Sequence, residues 1–254
     1  MNRFSSGATW MALTAFCVGV PASAWANDAF GIRAGIFSET VLSHFGPIGQ
    51  VSHKNNGAYD KSTSVAHVNE VNPIATGTLP PYFFIEAKGL SSEVKDNGIA
   101  VDTTSTSSSN SVAHAKLTIN INPPPGMAVP IPYPALLVQA SGLSTQANFT
   151  TIVTGPNTAA SSSSIGSLRI MGTLFSSPVV YSGSAPPNTV IYDGPHVTVT
   201  LNKVAEEGTL VCTPDCALKP SSIAVEAVNI RLRNASIDGH TINGDIVLSR
   251  AAAQ

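Results

Sequence analysis

Two stretches of the chain place a histidine in nearly the same words: Ser64-Val65-Ala66-His67-Val68-Asn69 and Ser111-Val112-Ala113-His114-Ala115-Lys116. With 6 histidines in all, a repeated one is a candidate for chemistry. Imidazole nitrogens hold transition metals when two or more converge on one ion. His67 and His114 therefore form a site only if their strands bring the rings together. No His-Glu-x-x-His or His-x-His pattern supplies further ligands. An isolated histidine on a polar strand face is far more often an ordinary surface residue. The sequence assigns no metal and no cofactor, and leaves His67 and His114 as the two candidates for one.

The other chemistries fare no better. A Gly-x-Ser-x-Gly elbow is absent, and Ser92-x-x-Lys95 is expected by chance in so serine-rich a chain. Glu206 and Glu207 are adjacent, so an extended chain points them to opposite faces, the wrong arrangement for an acid–base pair across a glycosidic bond. Beside Gly208 they read as hairpin-loop charges. Asp96-Asn97-Gly98, Asp193-Gly194, Asp238-Gly239 and Asp245 offer oxygens without the Asp-x-Asp-x-Asp-Gly series of a calcium loop, and turns explain them. Tyr82, Tyr133, Tyr181 and Tyr192 border proline- or glycine-containing loops and are the candidates for stacking on a sugar. Tyrosine packed on proline is the commoner outcome. No nucleophile, base and orienting group can be named together, so the expectation is a protein that is not an enzyme.

Strands must position these residues, because two-residue alternation dominates. From Ser111 onward, Ala113, Ala115, Leu117, Ile119 and Ile121 share one face, and His114, Lys116, Thr118 and Asn120 the other. Val197, Val199 and Leu201 alternate with Thr198, Thr200 and Asn202. Further on, Val225, Ala227, Asn229, Arg231 and Arg233 oppose Ala224, Glu226, Val228, Ile230 and Leu232. Asp238-Gly239 and Asn243-Gly244 give the turn signals of a last hairpin. Residues 72–82, 122–134 and 183–190 are proline-rich and read as stiff connections. The hydroxyl-rich residues 102–111 and 158–164 read as solvated loops or polar edge strands. The functional reading of those two stretches is a face that orders water or binds glycan.

The histidines also sit in a longer repeat. Each Ser-Val-Ala-His is followed by a proline-rich loop and then by Ala-x-Gly-Leu-Ser, at Ala87 to Ser91 and at Ala140 to Ser144. The units, about 62–95 and 109–148, read as a duplicated β-hairpin in which Gly89 and Gly142 mark the same bulge or turn. The fold expected is all-β, either an antiparallel β-sandwich or a short β-solenoid-like domain.

Arg3, the apolar run from Trp10 to Val20, Pro21 and small residues before Ala24 and Ala26 have the layout of a secretory signal peptide. Residues 1–26 are accordingly expected to be cleaved, after Ala24 or Ala26, leaving 27–254 as one domain. Lysine and arginine total 13 against 15 acids, and only 11% of the chain is charged. Nucleic acid is therefore a poor partner. No later stretch approaches the ~20 apolar residues of a membrane helix. Cys212 and Cys216 in an exported chain are expected to form a disulfide that staples a hairpin tip. The early alternation of Ile32, Ala34 and Ile36 marks a strand that completes its own sheet or is donated to a neighbour, the first being expected.

The whole pattern resembles the choice-of-anchor P family of exported bacterial surface proteins. The residues that carry it are residues 27–51, the two Ala-x-Gly-Leu-Ser segments, and residues 165–172, 185–204 and 221–234. That resemblance implies a surface location and brings no activity or catalytic residues. The tail, residues 245–254, has no sorting motif, apolar anchor or terminal aromatic, which puts covalent anchoring in doubt. The function expected is structural or adhesive, at the cell surface or in an extracellular matrix such as a biofilm, with self-association or other matrix components as partners. The alternatives are an extracellular carbohydrate- or metal-binding module, and a periplasmic location.

Overall fold

The computed structural model describes residues 27–39, 41–53, 58–73, 81–100, 102–120, 134–153, 155–212 and 216–254. The expected leader, Tyr133 and most of the two long proline-rich loops lie outside them. β1 (Asn27–Phe37), β2 (Leu42–Ile48) and β3 (Val51–His53) begin one sheet. β4 (Tyr59–Pro73), β5 (Tyr82–Ala100), β6 (Thr103–Asn120), β7 (Pro134–Ile152), β8 (Thr158–Met171) and β9 (Val179–Gly183) follow as a six-stranded meander. β10 (Thr189–Asp193), β11 (Val197–Cys212), β12 (Cys216–Ile237) and β13 (His240–Ala253) then return to the first sheet. That sheet has seven strands in the order β10-β11-β12-β13-β1-β2, with β3 also on β1.

The two sheets pack as an antiparallel sandwich. A solenoid is ruled out, because it stacks parallel strands from successive coils, whereas each strand pairs antiparallel with its neighbours. β1 lies between β13 on one side and β2 and β3 on the other, so the first strand completes its own sheet. The Gln254 N–H donates to Asn27 Oδ1 at 3.0 Å, joining the end of the last strand to the start of the first. β4–β5 and β6–β7 are the two copies of the repeated hairpin. Asp238 and Gly239, with φ of 51° and 76°, make the tight turn of the last hairpin. Asn243-Gly244 does not turn; it lies inside β13.

Strict alternation fails at one level of each sheet. On β5, Ala87 and Leu90 face the core while Lys88 and Gly89 between them both face out. The same outward pair is Ala113-His114 on β6, Ser141-Gly142 on β7 and Gly166-Ser167 on β8. Pairing runs through without a register shift (Leu90 with Val112, Val112 with Leu143, Leu143 with Ile165). The result is an in-register crease, not the bulge of one strand against its neighbour that Gly89 and Gly142 suggested. Those glycines adopt φ of 62° and 59°, which a Cβ disfavours. Ala113 is consequently exposed and does not join Ala115 on the core face.

The seven-stranded sheet is creased opposite, with consecutive buried pairs at Leu201-Asn202, Ala227-Val228, Leu248-Ser249 and Gly31-Ile32. Asn202 and Ser249 hold positive φ, 46° and 57°. Val228, Ile230 and Leu232 thus share the core face with Val225 and Ala227, and not the opposite one. A Cβ on Gly31 would stand 2.3 Å from Leu90 Cδ2, so the glycine makes room for the leucine across the sandwich.

On one side of the creases the interior is apolar: Ile36, Phe45, Phe83, Ile85, Leu117, Val138, Ile170, Val199, Ile230 and Ile246. On the other side the residues 102–111 and 158–164, Asp102 excepted, prove to be strand, β6 sitting in the middle of its sheet, and not loops. Thr106, Ser108 and Asn110 of β6 point inward and are buried, beside Ser92, Thr145 and Ser163. Ser108 Oγ donates to Ala252 O at 2.8 Å, Asn110 Nδ2 to Ser92 Oγ at 2.8 Å, and Thr145 and Ser249 hydroxyls meet at 3.0 Å. A smaller apolar cluster around Phe149, Ile223 and Val225 closes this half.

Candidate functional site

Register fixes what the repeat brings together. His67 pairs with Lys88, Lys88 with His114, His114 with Ser141, and Ser141 with Ser167. All five face out in one row across β4 to β8. The histidines thus lie two strands apart, roughly 9–10 Å at the usual strand spacing, with an ammonium group between them. Metal–imidazole bonds are ~2 Å long, so the two rings do not converge on one ion. Among the described residues no cluster of three or more His, Cys, Asp or Glu side chains could hold a metal.

The crease instead makes a groove of about 410 Å³ over β5 to β8. Its rims are the row Lys88, His114, Ser141, Ser167 and the row Glu86, Lys116, Gln139; its floor is the backbone at Ala87, Ala115 and Ala140. Arg169 extends the second row, paired with Gln139. Lys88 Nζ lies 3.4 Å from Glu86 Oε1. Lys116 and Arg169 make no ion pair among the described residues. Ser141 and Ser167 hydroxyls meet at 2.7 Å.

The outer face of the other sheet handles its charges differently. Glu226 is 5% exposed and is held by Arg250 at 3.0 Å, Lys203 at 3.6 Å and Asn229 Nδ2 at 2.8 Å. Arg231 pairs with Asp245 and Arg233 with Asp193. Those cations have local anionic partners.

Beyond the crease, the outer face of the six-stranded sheet carries hydroxyls. Ser64, Ser91, Ser111, Ser144 and Ser164 stand opposite one another on β4 to β8, and the last two meet at 2.8 Å. Alternate residues of the serine-rich stretches thus face out, and the others point into the core.

The remaining candidates scatter. Tyr192 packs on Phe175 with ring centroids 4.7 Å apart, and its hydroxyl donates to Leu174 O at 3.5 Å. Tyr181 is half-buried against the core. Tyr82 is 36% exposed at the start of β5, and Tyr133 lies outside the described residues. The three described candidate tyrosines sit on different strands, β5, β9 and β10, and make no ring contact with one another. Ser92 points into the core while Lys95 faces out with Glu93 at 2.7 Å, so the Ser-x-x-Lys pair is split between faces. Glu206 and Glu207 lie in β11 beside a register shift, not in a loop. Asp96 Oδ1 accepts from the Gly98 N–H at 2.8 Å, as in a turn.

Sequence reasoning passed over Lys88, Lys116, Gln139, Ser141, Ser167 and Arg169. A signal was present: Lys88 and Ser141 are the variable residue of Ala-x-Gly-Leu-Ser. Consecutive hairpins of a meander always place their first strands two apart, with that residue between them.

No family model matches the chain, and no curated protein matches it. Among solved structures, that of Ail, the attachment invasion locus protein of Yersinia pestis, is similar at 8% identity and a TM-score of 0.16, over 89% of this chain and 99% of that one. A likeness at that score carries no argument about fold or function.

Proposed function

We propose that the protein is an exported, non-enzymatic structural or adhesive protein of the cell surface or extracellular matrix, acting through the outer face of its six-stranded sheet. The observation that carries this reading is the register of that face. Outward side chains stand in straight rows across five strands, from Ser64 to Ser164 and from His67 to Ser167. Groups repeated at the strand spacing of about 4.8 Å suit a partner that itself repeats. The signal-peptide layout of residues 1–26 and the resemblance to choice-of-anchor P proteins support export. Cys212 pairs in register with Cys216. Directly opposed Cα atoms in an antiparallel pair fall within the span of a disulfide, so an oxidised staple at this hairpin tip belongs to the proposal.

The test is the location and N-terminal sequence of the protein expressed in its own host. The expected product starts after Ala24 or Ala26, carries no free thiol and is recovered from the surface or matrix. Uncleaved protein in the cytoplasm, or cleaved protein confined to the periplasm, would overturn the reading. A second reading, an extracellular carbohydrate-binding module, is favoured by the polar groove; its metal-binding form is not, given Lys88 between the histidines.

A further inference from the structure

We infer that the groove over β5 to β8 binds an acidic polysaccharide, a uronate polymer, through Lys88, Lys116 and Arg169. The inference rests on the adhesive reading above and names its partner. The chain as a whole carries more acid than base, so attraction to an anion has to be local, and this groove gathers three cations, Lys88, Lys116 and Arg169, around one carboxylate, Glu86. Lys88 Nζ lies 3.4 Å from Glu86 across the groove, Lys116 stands opposite that same Glu86 in register without an ion pair, and Arg169 faces out beyond Gln139. On the opposite sheet three carboxylates, Glu226, Asp245 and Asp193, hold four cations, Lys203, Arg250, Arg231 and Arg233, each in an ion pair.

Geometry selects the kind of anion. The groove runs across four strands, an extended track instead of a cup, which fits a linear polymer better than a compact phosphate. Lys88 and Lys116 are diagonal neighbours on adjacent strands, a spacing of roughly 7–8 Å. A nucleic acid strand would be gripped by base stacking as well as by charge. No phenylalanine, tyrosine or tryptophan ring lines the groove for base stacking. Between the cations stand Gln139, Ser141, Ser167 and His114. These side chains donate and accept hydrogen bonds, as sugar hydroxyls require.

The experiment titrates polygalacturonate into the mature protein by calorimetry, with dextran as the neutral control and oligothymidylate as the nucleic-acid control. Polygalacturonate should bind, more weakly as salt is raised, and dextran should not. Lys88→Glu/Lys116→Glu, which sets two further carboxylates beside Glu86, should weaken binding about tenfold or more while lowering the melting temperature only slightly. The milder Lys88→Gln/Lys116→Gln serves if charge reversal disturbs folding. The charge-matched Lys61→Glu/Lys95→Glu, away from the groove, should stay within about twofold. Absence of polygalacturonate binding, equal losses in the two charge reversals, or oligothymidylate bound as tightly and lost with the same variant would each overturn the inference. Surface retention of the same variants in the host separates the two claims. Retention without polygalacturonate binding sinks the partner alone, whereas an intracellular protein sinks the adhesive reading beneath it.

Discussion

The two halves of the sandwich interior are built on the same strands by different means. On one side of the crease, Phe83, Ile85, Leu117 and Ile230 fill the space between the sheets and make no hydrogen bonds with their side chains. On the other, Ser92, Ser108, Asn110, Thr145 and Ser249 fill it and hydrogen-bond to one another or to backbone carbonyls, while Asn110 Oδ1 is left without a partner among the described residues. An apolar core is stabilised by area removed from water. A hydroxyl core gains little per hydrogen bond but loses much when one partner is left alone. The first half therefore fixes stability, and the second fixes which strand lies opposite which. The rows on the outer face are aligned by the backbone ladders that join β4 to β8.

The largest effect belongs to the apolar half. Phe83 is fully buried, its ring 4.7 Å from that of Phe45, so Phe83→Ala should cost about 3–5 kcal/mol in denaturant unfolding. Next comes the crease that divides the halves. Gly89 has a φ of 62° and a Cβ there would meet Ala113 Cβ at 2.8 Å, so Gly89→Ala should cost about 2 kcal/mol. A neutral outcome would mean the crease relaxes freely. In the polar half, Thr145→Val should cost about 1–2 kcal/mol by orphaning the Ser249 hydroxyl, and adding Ser249→Ala should return most of it. If the double variant is as unstable as the sum of the singles, the hydroxyl core is more than a set of exchangeable pairs.

The smallest effect concerns Asp28, a buried carboxyl on the outer side of β1. Burial raises its pKa from 3.8, against the opposing donation from Gln50 and the charges of Arg250 and Arg33. The folded protein thus favours the protonated form more than the unfolded chain does. The stability this group contributes is fully present below pH 3.8 and is lost as pH rises through the raised folded value. Asp28→Asn should raise the melting temperature at neutral pH, and the difference from wild type should vanish in acid.

The all-β class and the duplicated hairpin could be read from the chain, because Val197, Val199 and Leu201 alternate cleanly and the repeat recurs with its loop and its glycine. Two things could not. Both faces of residues 102–111 are polar, so hydropathy has no period there, and a central strand looks like a loop. The crease shifts the alternation by one residue without changing composition, which misplaced Ala113 and the Val228, Ile230, Leu232 series. The groove escaped for a related reason: its cations come from β5, β6 and β8, and only the register makes them neighbours.

The claim that function resides on the outer face of the six-stranded sheet is tested most directly by amide chemical-shift mapping of the labelled mature protein against matrix polymer from its own host. The account predicts shifts gathered at Lys88, His114, Lys116, Gln139 and Arg169, leaving Arg231, Arg250 and the rest of the opposite face unmoved. Shifts concentrated on that opposite face, or at Tyr82 and the loop-bearing end of the sandwich, would contradict it.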